Sequence, residues 1–193
     1  MRRNLLARLT MILTTILIIA ACGGGRATNQ DLSDLGATFH ENPLKHKYDV
    51  LLIQKTVFYK PEFATDYPTA VAEFEDSFFS LLQKHNNNPF MKVSKELEQG
   101  TLNKNTLLVK CMITDIRIVS HAARMWGGVF AGSSDMSVVV KLIDGDTGDV
   151  LREKDLTSYN NPYAAQWTHG SSDRSLPEDM GTMAAAYVLA VTK

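Results

Sequence analysis

Three carboxylates recur in the run Asp144-Gly145-Asp146-Thr147-Gly148-Asp149, and oxygens at alternate positions can ligate a hard cation such as calcium. The EF-hand order places an acid or amide before its glycine, whereas here Gly148 precedes Asp149. The run therefore reads as a strand-connecting turn in which Asp and Gly serve the backbone conformation. A second run, His169-Gly170-Ser171-Ser172-Asp173, contains the residue types of a hydrolytic triad. A working triad draws its members from separated elements, with the serine on a strained turn, and Gly-x-Ser-x-Gly is absent. Neither Gly-x-Gly-x-x-Gly nor a phosphate-loop lysine motif is present. His40 and His46 are too far apart for a helical pair and lack a neighbouring cysteine, so no metal is assigned to them. Cys111 lies within Leu107-Leu108-Val109-Lys110-Cys111-Met112-Ile113, where a thiol serves as a small buried hydrophobe. The residues thus assign no catalytic group, metal or cofactor and point to a binding or assembly module in place of an enzyme.

The chemistry that the sequence does specify is at its start. Arg2, Arg3 and Arg8 precede an apolar run from Leu9 to Ala21, which is shorter than the ~20 residues of a spanning helix and fits a secretory signal. Ile19-Ala20-Ala21-Cys22, followed by Gly23-Gly24-Gly25, resembles the bacterial lipobox. The resemblance implies a signal peptide over residues 1–21, a diacylglyceryl thioether on Cys22, and acylation of the new amine. Several acyl chains, at ~0.8 kcal/mol per buried methylene, hold a protein on a membrane durably. Gly23 stands where aspartate would signal inner-membrane retention, so the expected address is the outer membrane, periplasmic face. With Cys22 acylated, Cys111 is left without a disulfide partner. None of the 21 acidic residues precedes Cys22, whereas three of the 20 basic ones do, so the rest of the chain carries a formal excess of about four negative charges. That is no footprint for nucleic acid.

Residues 22–46 are rich in Gly, Thr, Asn, Asp and Ser and read as a lipidated tether with an r.m.s. span of about 27 Å. The folded domain is expected over 47–193, and its elements follow from periodicity. Asp49-Val50-Leu51-Leu52-Ile53 is apolar on both faces and predicts a central strand from Tyr48 to Tyr59. Val71, Phe74, Phe78, Leu81 and Leu82 recur at helical spacing after Thr69. Phe90 to Val93 suggests a short strand, and Ser94 to Gln99 a short helix. Residues 106–119, 136–143 and 149–157 predict three consecutive antiparallel strands. Ser175, Pro177, Glu178 and Asp179 open a last helix with an apolar face of Met180, Met183, Ala184, Tyr187 and Val191. The fold class expected is α+β: a small two-layer domain with a mainly antiparallel sheet of about five strands and two main helices on one face.

A family resemblance rests on Ile113-Thr114-Asp115-Ile116, Ala122-Ala123-Arg124, Gly127-Gly128-Val129-Phe130-Ala131-Gly132 and Leu142-Ile143-Asp144-Gly145-Asp146-Thr147-Gly148-Asp149-Val150-Leu151, in that order. Together they resemble the bacterial lipoprotein family carrying domain of unknown function 4410. The resemblance implies a small domain distantly like the N-terminal domain of the Tol translocation protein and the assembly domain of the curli secretion lipoprotein. It brings no catalytic residues. With no catalytic motif present, the leading expectation is a non-enzymatic envelope module, bound to the membrane through Cys22, that meets a protein partner or further copies of itself. A carrier of a lipid or other apolar ligand is the alternative, suggested by the aromatic stripe of the first helix, which packing against the sheet explains equally.

The candidate contact residues are Arg124, Met125, Trp126, Gly127, Gly128, Val129, Phe130 and Gly132, within a segment from His121 to Ser134. From Met125 to Gly132 this segment carries no charge. Two fates are open to it: Trp126 and Phe130 fold back over the sheet, which the sequence favours, or they stay exposed as a contact surface. In either case Arg124 is expected to anchor the base of the segment, to Asp115 or Asp135.

Overall fold

Alternating apolar residues in three long strands set the frame, and the computed structural model describes it over residues 39, 41–85, 92–95, 105–160 and 171–192. In chain order these residues form β1 (Val50–Ile53), β2 (Val57–Phe58), α1 (Glu62–Asp66), α2 (Ala70–His85), β3 (Lys92–Lys95), β4 (Thr106–Arg117), α3 (His121–Gly127), a 3-10 turn (Gly128–Ala131), β5 (Asp135–Asp144), β6 (Val150–Tyr159), α4 (Ser171–Arg174) and α5 (Leu176–Val191). They make an α+β domain with one open sheet in the order β3-β1-β4-β5-β6, and β2 also pairs with β4.

The meander β4-β5-β6 is antiparallel, as the sequence predicts. Among the described residues the sheet has six strands where about five are expected, because the expected strand Tyr48 to Tyr59 is broken. Ile53 pairs with Val109 and Val57 with Met112, so this side of the ladder carries one residue more than β4. The surplus interrupts pairing at Gln54–Thr56, and the Thr56 amide donates instead to the Glu75 carboxylate at 2.6 Å. The sheet is also mixed, since β1 pairs in parallel with both β3 and β4. Ser94 and Lys95 lie in β3, not in a helix; the rest of the helix expected to Gln99 falls outside the described residues.

Leu107, Val109, Cys111 and Ile113 of β4 and Met136, Val138, Val140 and Leu142 of β5 share one core with the helices. A bulge at Thr114 shifts the phase, so that Ile116 turns inward while Asp115 and Arg117 are exposed. Along β6, Arg152 and Lys154 pair with the core-side Leu142 and Val140, whereas Glu153 pairs with Lys141 on the other side.

Phe74, Phe78 and Leu82 lie four residues apart on α2, and all are fully buried in the core that holds Leu51 and Ile53. Of the two expected pairs of facing residues, Leu51 and Ile53 are the ones in that core. Between α2 and α5 the backbones nearly touch. A Cβ on Gly181 would lie 2.4 Å from the Phe74 carbonyl oxygen, and the Ser77 hydroxyl donates to the Glu178 carbonyl at 2.9 Å. Small residues at Gly181, Ala184 and Ala185 make that approach possible, and all three are buried.

The last residues assigned above to the tether pack on the domain. The Leu44 amide donates to the Val191 carbonyl at 2.8 Å, and Lys154 pairs with Glu41 at 2.6 Å. Phe39 stands edge-on to Tyr187 at 5.5 Å. Burial, with Glu41 nearby, raises the Tyr187 phenol to about 12.

Phe78→Ala is expected to lower stability by about 3–5 kcal/mol, because the cavity cannot be refilled from either side. Gly181→Ala, a change that favours an isolated helix, should nevertheless depress the melting midpoint by forcing α2 and α5 apart. Thermal unfolding of both variants measures this, and an unchanged midpoint for Gly181→Ala would contradict the helix contact.

Candidate functional site

Three ends converge at one pole of the sheet: the C-terminal end of β4, the start of β5 and the end of β6, where Asp135 pairs with Tyr159. The 121–134 segment connects the first two. It forms a short helix followed by a 3-10 turn. Ser120 caps α3, its hydroxyl accepting from the Ala123 amide at 3.1 Å. Gly128 ends that helix at φ 51°, and Gly132 ends the 3-10 turn at φ 87°, conformations that a side chain makes costly.

Arg124 is the pivot. It is 2% exposed, and its partner is Asp173, not the expected Asp115 or Asp135. Nε and Nη2 each donate to Asp173 at 3.0 Å, a bidentate geometry. Nη1 donates to the Gly132 carbonyl at 2.8 Å and to the Gly128 carbonyl at 3.2 Å, so the 3-10 turn wraps around the guanidinium. The Ser134 hydroxyl donates to Asp173 at 2.7 Å while its oxygen accepts from the Val119 amide at 2.8 Å. One buried ion pair thus ties α3, the turn, β4, β5 and α4 together. The bulge at Thr114 keeps Asp115 out of this cluster. Asp135 stands near Asp115, and burial followed by that like charge raises its carboxyl above the usual range.

What the cluster holds up is apolar and exposed. Trp126 is 89% exposed, Phe130 96% and Met125 60%, and Tyr159, paired with Asp135 at the same pole, 74%. Trp126 and Phe130 therefore do not fold over the sheet, contrary to the packing the sequence favours. Val129 and the glycines Gly127, Gly128 and Gly132 are half-buried beneath them. Tyr159 is a surface residue that sequence reasoning missed; its place at the end of a strand gave the only signal.

The other candidates resolve locally. Asp144 accepts from the Asp146 and Thr147 amides, both at 2.9 Å, and from the Tyr48 hydroxyl at 2.8 Å. These bonds, that of Thr147 first, hold its carboxyl below the usual range, and Gly148 takes φ 77°, as the strand-connecting turn requires. Asp173 of the triad-like run is held by Arg124 and Ser134, while His169 lies outside the described residues. Cys111 is buried, and burial pushes its thiol well above the ordinary value. His46 meets Asn105 and the ring of Tyr48; His40 and Cys22 lie outside the described residues.

A mixed open sheet with its helices, and an exposed aromatic pole held by a buried arginine, define a small α+β domain. The chain belongs to the family of domain of unknown function DUF4410, whose model matches residues 64–187, in agreement with the resemblance drawn from its motifs. PelC of Paraburkholderia phytofirmans, solved as a dodecamer, shares the fold with a TM-score of 0.51 at 14% identity, over 79% of this chain and 96% of that one. Protein CT253 of Chlamydia trachomatis superposes with a TM-score of 0.44 at 13% identity, covering 76% and 98% of the two chains. Lipoprotein GNA1162 of Neisseria meningitidis does so at 0.39 and 9% identity, covering 65% and 96%. No curated protein matches the sequence.

Removing one partner of the buried pair leaves an uncompensated charge, so Asp173→Leu should cost about 3–5 kcal/mol. Adding Arg124→Met to that variant should recover part of the loss, because the doubly apolar site strands no ion. Denaturant unfolding of the two single variants and the double variant tests the coupling, and strict additivity would contradict it.

Proposed function

We propose that this protein is a lipid-anchored, non-enzymatic contact module of the bacterial envelope. It is acylated at Cys22, held at the periplasmic face of the outer membrane, and acts through the surface formed by Arg124–Gly132. The observation that carries the reading is the pairing of Trp126 and Phe130, almost fully exposed, with a buried Arg124 that fixes the backbone beneath them. Exposed aromatic side chains on a rigid base lose little entropy on binding. The support for an envelope address is the lipobox-like Ile19-Ala20-Ala21-Cys22. The dodecameric state of PelC supports assembly of copies as one form that contact takes.

The carrier alternative finds less support. A cleft of about 250 Å³ is lined by Ile53, Gln54, Lys55, Glu75 and Lys95, whose polar and charged groups suit an apolar ligand poorly. The aromatic stripe of α2 is used in packing, since Phe74 and Phe78 are fully buried.

Cys22→Ser should leave an uncleaved or soluble chain that incorporates no radiolabelled palmitate; palmitate still entering that variant contradicts lipidation at Cys22. Hydroxyl-radical footprinting tests the contact itself. Trp126 and Phe130 should be reactive in the isolated Cys22→Ser protein and protected in intact envelopes holding the acylated protein. Equal reactivity in both settings would refute the contact reading.

A further inference from the structure

The course of the N-terminal segment says which way the aromatic pole faces. Its contacts run in order from His46, beside Asn105 at the start of β4, to Leu44 at Val191, Asn42 at Arg152, Glu41 at Lys154 and Phe39 at Lys154 and Tyr187. From Arg152 to Lys154 is a step along β6 toward Tyr159, and from Val191 to Tyr187 a step along α5 toward its first turn. Tyr159 adjoins the start of β5, and the first turn of α5 follows Asp173, the partner of Arg124. Traced toward Cys22, the chain therefore climbs from the opposite end of the domain toward Trp126 and Phe130. Residues 23–38 separate Cys22 from this segment, and sixteen residues can reach at most about 55 Å. The climb remaining from Lys154 to Tyr159 is five strand residues, about 17 Å. The described segment heads toward that pole, and the residues between it and Cys22 are enough to reach it.

We propose that the occupant of the exposed surface is the phospholipid bilayer that holds the anchor, with Trp126, Phe130 and Met125 set into its interface; this rests on the contact reading above and on acylation at Cys22. The chemistry agrees. Residues Met125–Ser134 contain no charged side chain, so the surface enters the interface without desolvating an ion in that stretch. Trp and Tyr favour the boundary between headgroups and acyl chains, and Tyr159 is exposed at the same pole of the sheet. Acyl chains fixed nearby keep the knob at high effective concentration over the bilayer, so a weak intrinsic affinity suffices. The domain then rests on the membrane by two points, the lipids on Cys22 and the knob, with the 39–46 segment as the brace between them.

The test uses the full acylated chain with Trp167→Phe, which leaves Trp126 as the sole tryptophan. It is reconstituted into phosphatidylethanolamine–phosphatidylglycerol vesicles with or without brominated acyl chains. Trp126 emission should shift to the blue and be quenched by the bromines. Phe130→Ser should leave the melting midpoint nearly unchanged, because surface substitutions cost little, and should reduce the quenching. In the unacylated Cys22→Ser chain, Phe130→Ser should weaken vesicle partitioning about tenfold or more. Water-like emission without quenching overturns the proposal. A blue shift without quenching that grows with protein density assigns the surface to a second copy and equally overturns it. Protection in envelopes together with no quenching in vesicles would leave the contact reading standing while refuting the lipid as its occupant.

Discussion

Taking a guanidinium and a carboxylate out of water costs several kcal/mol for each ion, and only close pairing with full hydrogen bonding offsets it. Arg124 and Asp173 meet that condition through two mutual bonds, with Ser134 and the carbonyls of Gly128 and Gly132 taking up further donors and acceptors. The cost of leaving any of these groups unmatched makes the cluster intolerant of partial formation. Residues separated by 49 positions must arrive together, and when they do, the backbone from Ser120 to Ser134 has little freedom left. The aromatic side chains above it are exposed without being carried on a loose loop.

The rest of the fold positions that cluster. The β4-β5 ladder brings Val119 and Ser134 within hydrogen-bond distance, and the contact of α5 with α2 sets where Asp173 can stand. Gly181 matters at a distance for this reason. A side chain there would displace the helix whose preceding turn supplies the carboxylate.

Much of this was legible in the sequence where periodicity carries the signal. The alternation of β4 to β6 and the four-residue spacing of Phe74, Phe78 and Leu82 translated directly into strands and a helix. Features that depend on one extra residue were not legible. The breaks at Gln54–Thr56 and Thr114 leave composition unchanged and alter only the phase, so a single long strand was expected in one place and Asp115 was judged a partner for Arg124 in the other. The true partner lay in a polar run that looked like a failed triad, because an ion pair between distant residues has no sequence period. The fate of Trp126 and Phe130 was illegible for a related reason: an apolar residue between glycines has the same pattern whether it is covered or not. The segment from Phe39 to His46, polar and aperiodic, gave no hint that it packs against β6 and α5.

The distribution of charge along β6 bears on how copies of this domain could meet. Arg152 and Lys154 project to one face of the strand and Glu153 and Asp155 to the other. Two such edges joined about a two-fold axis keep their faces, so bases would stand opposite bases and acids opposite acids, an arrangement that weakens cross-strand pairing. The long edge is thereby guarded against fusing with its own kind into a continuous sheet. Within the chain, the bases on the helix side already have company, Lys154 in the Glu41 carboxylate and Arg152 in the Asn42 carbonyl.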